Sequence, residues 1–173
     1  MRYNRPMNRL GAILVLSALV LIAGCTFERY ARLYDSARVE PDDRRGYRVA
    51  EGEGIVLELH KVRGIPVPDA FWGHSLFLQT DSTHLIESTV LHVPSTEAVA
   101  FLSQLQAPKY VPSTEISGEV TILVVDDSFV KVKLKVSCPE LGWKYHGTAR
   151  FHRRPLEYFG NTDRHMKRVG RAV

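Results

Sequence analysis

The chain has 173 residues, 23 of them Lys or Arg and 19 Asp or Glu, for a formal net charge of +4. Three arginines fall before Leu10 and seven cations lie between Arg150 and Val173, so the stretch between them is mildly acidic. A mildly acidic body with a basic tail is not a nucleic-acid-binding composition.

Arg2, Arg5 and Arg9 precede an apolar run from Leu10 to Ala23 whose one hydroxyl is Ser17. About 14 residues is short of the ~20 needed to cross a hydrocarbon core as a helix. A positive start, a short apolar middle and small residues at the exit are the form of a secretory signal peptide. Its end, Leu21-Ile22-Ala23-Gly24-Cys25, resembles the lipobox of bacterial lipoproteins. That resemblance implies that residues 1–24 are removed and that Cys25 becomes the mature N-terminus. Cys25 would then carry a diacylglyceryl thioether and an amide-linked acyl chain, and no other cofactor is implied. Two or more acyl chains hold a protein stably at a bilayer. Thr26 stands where an aspartate would mark inner-membrane retention, so the resemblance favours the outer membrane, facing the periplasm. The alternative is an uncleaved signal anchor with an incidental cysteine.

Without its leader the chain has 20 basic against 19 acidic residues and the length of one ordinary domain. With Cys25 acylated, Cys138 is alone, which leaves no intramolecular disulfide and no cysteine metal cluster.

Residues 25–50 read as the lipidated terminus and a tether. Phe27, Tyr30, Leu33 and Tyr34 fall on one side of a short helix. That helix would lie at the headgroup boundary or pack on the domain. Glu40 to Gly46 is polar and broken by proline and glycine, which predicts loop. Fully flexible, about 25 residues would reach roughly 28 Å.

A β-rich domain is expected over 51–154. Ile55, Leu57 and Leu59 alternate with Val56, Glu58 and His60, a half-buried strand. Gly64 to Asp69 holds two prolines and is a rigid connection. Strands over 73–79 and 85–93 flank the turn residues Asp81-Ser82-Thr83 and predict a hairpin. Ser95 then has the chemistry of an N-cap and Glu97 suits a first helical turn. Ala98, Phe101, Leu102 and Leu105 follow at helical spacing, so a short helix is expected over about 95–106, ended by Pro108. The pentad Val-Pro-Ser-Thr-Glu occurs at Val93 and again at Val111, where a turn is expected. Two copies do not make a solenoid.

From Glu119 to His152 the pattern is clearest. Val120, Ile122 and Val124 alternate with polar positions up to a turn at Asp126-Asp127-Ser128. Val130, Val132, Leu134, Val136 and Cys138 alternate with lysines and Ser137, which places Cys138 inside. Trp143, Tyr145, Gly147, Ala149 and Phe151 alternate with Lys144, His146, Thr148, Arg150 and His152. The expectation is a three-strand antiparallel meander, apolar within and basic without. With the earlier strands it gives a mainly β fold, an antiparallel sandwich or partly open barrel of about six to seven strands with one short helix. Residues 155–173 read as a basic, disordered tail.

No metal-ligand spacing exists among the seven histidines. His146 and His152, on one strand face, would stand about 20 Å apart. Neither a G-x-S-x-G elbow nor a phosphate-binding glycine loop is present. No catalytic or metal site is therefore expected. Lys131, Lys133, Lys135, Lys144 and Arg150 form a candidate anion-binding face. Its competing reading is a solvated face whose lysines prevent aggregation. Trp72 and Trp143 could stack on sugars, though Trp143 has core parity. The favoured function is a non-catalytic binding or scaffolding lipoprotein of the envelope. Its partners would be the membrane, through the anchor, and an anionic envelope polymer or another envelope protein. The alternatives are an envelope-polymer hydrolase and an accessory lipoprotein of an outer-membrane assembly complex.

Overall fold

The computed structural model describes residues 26–64, 71–106 and 109–156. The expected leader, Cys25 and the expected tail beyond 156 lie outside the described residues. The strands are β1 (Thr26–Asp42), β2 (Gly46–Glu51), β3 (Gly54–Gly64), β4 (Phe71–Thr80), β5 (Val90–Val93), β6 (Ala98–Gln106), β7 (Lys109–Ser113), β8 (Ser117–Val125), β9 (Phe129–Cys138) and β10 (Trp143–Arg153). They form one mixed sheet in the order β5-β8-β9-β10-β1-β3-β4-β6-β7, with β2 pairing β1 off that path. The described residues are mainly β, with ten strands rather than six or seven, and the sheet is not closed into a barrel. Its halves instead face each other across one core, in which Leu33, Leu57, Leu59, Leu76 and Leu102 meet Val120, Ile122, Val132 and Leu134. Burying each such side chain is worth about 1.5–3 kcal/mol.

The expected meander is present. β8, β9 and β10 pair antiparallel in sequence, and Val130, Val132, Leu134, Val136 and Cys138 are buried. Asp126 makes the first turn by accepting the amide and hydroxyl of Ser128. Gly142, at φ +59°, makes the second. Cys138 is fully buried and free, and its thiol donates to Ser113 Oγ at 3.4 Å.

Residues 26–51 are not a tether. They form β1 and β2, and β1 is the joint between the two halves. It pairs antiparallel with β3 over its first half and parallel with β10 at Arg32–His152 and Leu33–Arg153. A bulge at Asp35-Ser36, with Ser36 at φ 51°, then shifts the register. Before the bulge Tyr30, Arg32 and Tyr34 face outward, and after it Ala37 and Val39 do, so parity reverses and the strand bends away. There it pairs β2, from Ala37–Glu51 to Asp42–Gly46. This hairpin lies over the outer side of the sheet, where Tyr47 and Val49 join Tyr34, Val56 and Phe77 in a second apolar cluster. Covered on both sides, every residue from Ile55 to His60 is buried, not only one parity of them.

The helix expected at 95–106 is strand β6. Ala98, Ala100 and Leu102 point into the main core, and Phe101 packs in the second cluster. Apolar residues on both faces of a doubly covered strand reproduce helical spacing by coincidence. Ser95 does act as a cap, its Oγ accepting the amides of Glu97 and Ala98, but what it caps is a turn. In the second pentad Ser113 accepts the amide of Glu115 in the same way, so the repeat encodes one local turn twice. The hairpin expected between 73–79 and 85–93 does not form. β4 pairs β3 and β6, whereas β5 pairs β8, so residues 81–89 cross between the halves through a 3-10 turn at Ser82–His84.

Candidate functional site

The outer face of β9 and β10 carries the residues singled out for anion binding. Register sets Lys131 opposite Arg150, Lys133 opposite Thr148, Lys135 opposite His146 and Ser137 opposite Lys144. Neighbours across the pair stand about 5 Å apart and those along one strand about 7 Å. Strand alternation therefore brings Lys131, Lys133, Lys135, Lys144 and Arg150 together, along with His146 and His152. None of the five cations forms an ion pair among the described residues. On β8, Glu119 is opposite Lys135 and Thr121 opposite Lys133. The Arg150 guanidinium lies over the Phe129 ring at 4.4 Å, which fixes one end of the row. Asp126 stands near that end, its carboxyl held below the usual range by its hydrogen bonds from Ser128. Both partner strands are interior to the sheet, whose edges are β5, β7 and the β2 branch. Lysines that guard against edge pairing belong on edges, so that role does not account for their position here.

A second polar cluster lies under the β1–β2 hairpin on the opposite half. Register sets Tyr30 beside His60, Arg32 beside Glu58, and His60 beside Ser75. Glu58 is 2% exposed and accepts Tyr30 Oη at 3.0 Å and Tyr34 Oη at 2.9 Å. Burial drives its carboxyl above the ordinary range, against the hydroxyl of Tyr34 and the charge of Arg32. Both tyrosines are raised as well, first by burial and then by Glu58, so they stay protonated donors. Arg32 stacks over the Tyr30 ring at 3.5 Å. His60 also stacks on Tyr30, their ring centroids 4.6 Å apart, and is pushed down to about 4, chiefly by burial. Its Nδ1 is 2.7 Å from Ser75 Oγ, a nucleophile–base distance. Yet His60 and Ser75 are each 7% exposed, and both oxygens of Glu58 are taken by tyrosines. The cluster is a buried strut joining β1, β3 and β4, with no face open to a substrate.

His74, on β4, turns inward and meets the edge of Trp143 at 5.2 Å across the two halves. Its Nε2 is buried with no hydrogen-bond partner among the described residues, and burial holds the ring at about 4. Trp143 is half-buried against the core, as its parity implies. A polar cleft of about 330 Å³ lies at the other end of β4, between Gly54, Thr80, Asp81, His84 and Glu97. Among the described residues no three His, Cys, Asp or Glu side chains are placed to hold a metal ion. Cys25 lies outside the described residues, immediately ahead of β1.

The Glu58 cluster escaped sequence reasoning because Tyr30 and Tyr34 fit a helical stripe. The signal lay in parity: Tyr30, Arg32 and Tyr34 share one strand face, as do Glu58 and His60. Compared with protein-family models, curated proteins and solved structures, the chain gives no match.

Proposed function

We propose that this chain is a lipid-anchored protein of the cell envelope, held at the outer membrane through acylated Cys25, whose β domain is a non-catalytic binding module. Its ligand is an anionic envelope polymer, taken on the outer face of β9 and β10. The observation that carries this reading is the row of cations, unpaired among the described residues and lying on interior strands. Cations so close together repel one another, by about 0.6 kcal/mol for a pair 7 Å apart in water. A polyanion laid along the row removes that repulsion and releases its own counterions. The polar cluster at Glu58 supports a structural role for the other half, since its groups are spent on one another.

The test is retention of the full lipidated protein, in mild non-ionic detergent, on an acidic polysaccharide resin. The expected result is elution by salt, shifted to markedly lower salt when Lys131, Lys133 and Lys135 are all changed to Gln. Equal elution of the triple variant and the parent refutes the assignment and leaves those lysines as a solvated face.

A further inference from the structure

The two ends of the sheet carry opposite charge. β1 begins, β3 ends, β4 begins, β6 ends, β7 begins, β9 ends and β10 begins at one end, because β10 runs parallel to β1 and the other pairs are antiparallel. Here, where β8 also begins, Arg29, Lys61, Lys109, Lys135 and Lys144 are exposed, against the carboxylates of Glu115, Glu119 and Glu140. Arg29 and Lys61 are directly opposite each other in the β1–β3 register. Glu140 is partly spent, accepting the hydroxyl of Ser113 at 2.6 Å. At the other end stand Asp35, Glu53, Asp81, Glu87, Glu97, Asp126 and Asp127, with Arg38, Arg150, Arg153 and Arg154 as the basic residues. Arg153 is paired there with Asp35.

The basic end also carries half-buried aromatic side chains. Trp143 and Tyr145 stack with ring centroids 6.5 Å apart, and Tyr110 and Leu141 are half-exposed nearby. Tryptophan and tyrosine beside lysine and arginine are the residues that favour a membrane–water boundary. The first paired residue of the sheet is Thr26, opposite Gly64. One residue of chain reaches at most about 3.6 Å, so a lipid on Cys25 leaves the domain no leash.

We propose that this end of the sheet docks on the bilayer surface and binds anionic phospholipid headgroups through Arg29, Lys61 and Lys109, so that the acidic end points away from the membrane. The inference rests on the lipid-anchor reading and adds the orientation to it. It also leaves the outer face of β9 and β10 standing upright and accessible. Each cation near an anionic surface multiplies the docked population about five-fold, so three are worth roughly 100-fold.

The experiment uses the mature lipidated protein with Trp72→Phe, which leaves Trp143 as the reporter, in vesicles containing brominated acyl chains. One set of vesicles contains phosphatidylglycerol and the other phosphatidylcholine alone. Trp143 is expected to be quenched in the anionic vesicles. The quenching should fall to the phosphatidylcholine level in Arg29→Gln/Lys61→Gln/Lys109→Gln, whose changes are all at exposed positions. A fluorophore on Asp127→Cys, at the acidic end, is expected to stay unquenched in both. Equal quenching of the two ends, or no quenching of Trp143 with the acyl chains present by mass, overturns the docking orientation and spares the anchor. Absence of acyl mass on the Cys25 peptide overturns both.

Discussion

Tyr34→Phe isolates one hydroxyl in the buried strut. Tyr34 is fully buried, its ring packed with Tyr47, Val49, Val56 and Phe77, and phenylalanine keeps that ring in place. What is lost is the 2.9 Å bond to Glu58 Oε2, together with the hydrogen bond that Tyr34 shares with Arg32. A hydrogen bond to a charged or strongly polar buried group is worth about 1.5–3 kcal/mol, and Glu58, 2% exposed, is shielded from bulk solvent. The void of one oxygen adds little. A loss of about 2 kcal/mol is therefore expected, roughly 6–10 °C in Tm for a domain of this size. Tyr30→Phe removes the other bond, but Tyr30 is only half-buried and water can reach its place, so about 1 kcal/mol is expected. The two share Glu58, so the double variant should lose more than the sum, because the second loss strands the carboxyl. Urea unfolding at pH 7, followed by tryptophan fluorescence, measures all three. A Tyr34→Phe midpoint within 0.5 kcal/mol of the parent, or strict additivity, refutes the strut.

Acid should unfold the protein through its histidines. His60 and His74 are held at about 4 against an ordinary 6.5, so the unfolded chain binds protons that the native one refuses. Their stabilisation is complete above pH 6.5 and is lost as pH falls from 6.5 to 4, by about 3 kcal/mol for the more deeply buried His60. Glu58 works the other way, its raised carboxyl favouring the native state at low pH and losing that contribution as pH rises through its shifted value. Urea midpoints between pH 4 and 7 should rise with pH, and less steeply in His74→Gln; a flat profile in the parent contradicts the assignment. Gly118→Ala should cost about 3 kcal/mol or more, because at φ +146° a Cβ would stand 2.1 Å from the Lys135 carbonyl oxygen. Gly142→Ala, at φ +59° with nothing within 4 Å, should cost only about 1 kcal/mol. Equal thermal shifts for the two glycine variants would contradict that geometry.

How far the fold could be read from sequence depended on how many faces of each strand are covered. β9 and β10 bury one face, so valine and lysine alternate and the period of two is plain. β6 buries both faces, and Ala98, Phe101 and Leu102 then satisfy a helical spacing equally well. β1 failed for a different reason: its outer residues are polar, and Tyr30, Arg32 and Tyr34 go inside only because Glu58, His60 and the β2 hairpin meet them there. Those partners come from elsewhere in the chain, so no local window contains the reason for their burial. β5 is short and pairs β8 about thirty residues on, which made a hairpin with the nearer β4 look the simpler choice. The basic face was legible because it follows from alternation alone. The opposed charges of the two sheet ends were not, since they depend on β10 running parallel to β1.

The parallel seam of β1 with β10 ties the first described strand to the last. Arg153 and Asp35, which close it, are 118 residues apart in the chain. Any machine that delivers this polypeptide amino end first, a ribosome or a translocation pore, hands over β1 long before its last neighbour, β10, exists. At about 5–20 residues per second the wait is roughly 6–24 s. For that interval one side of β1 stays an open row of amides and carbonyls, which keeps the chain pliable for passage and exposes it to wrong pairing until its last strand emerges.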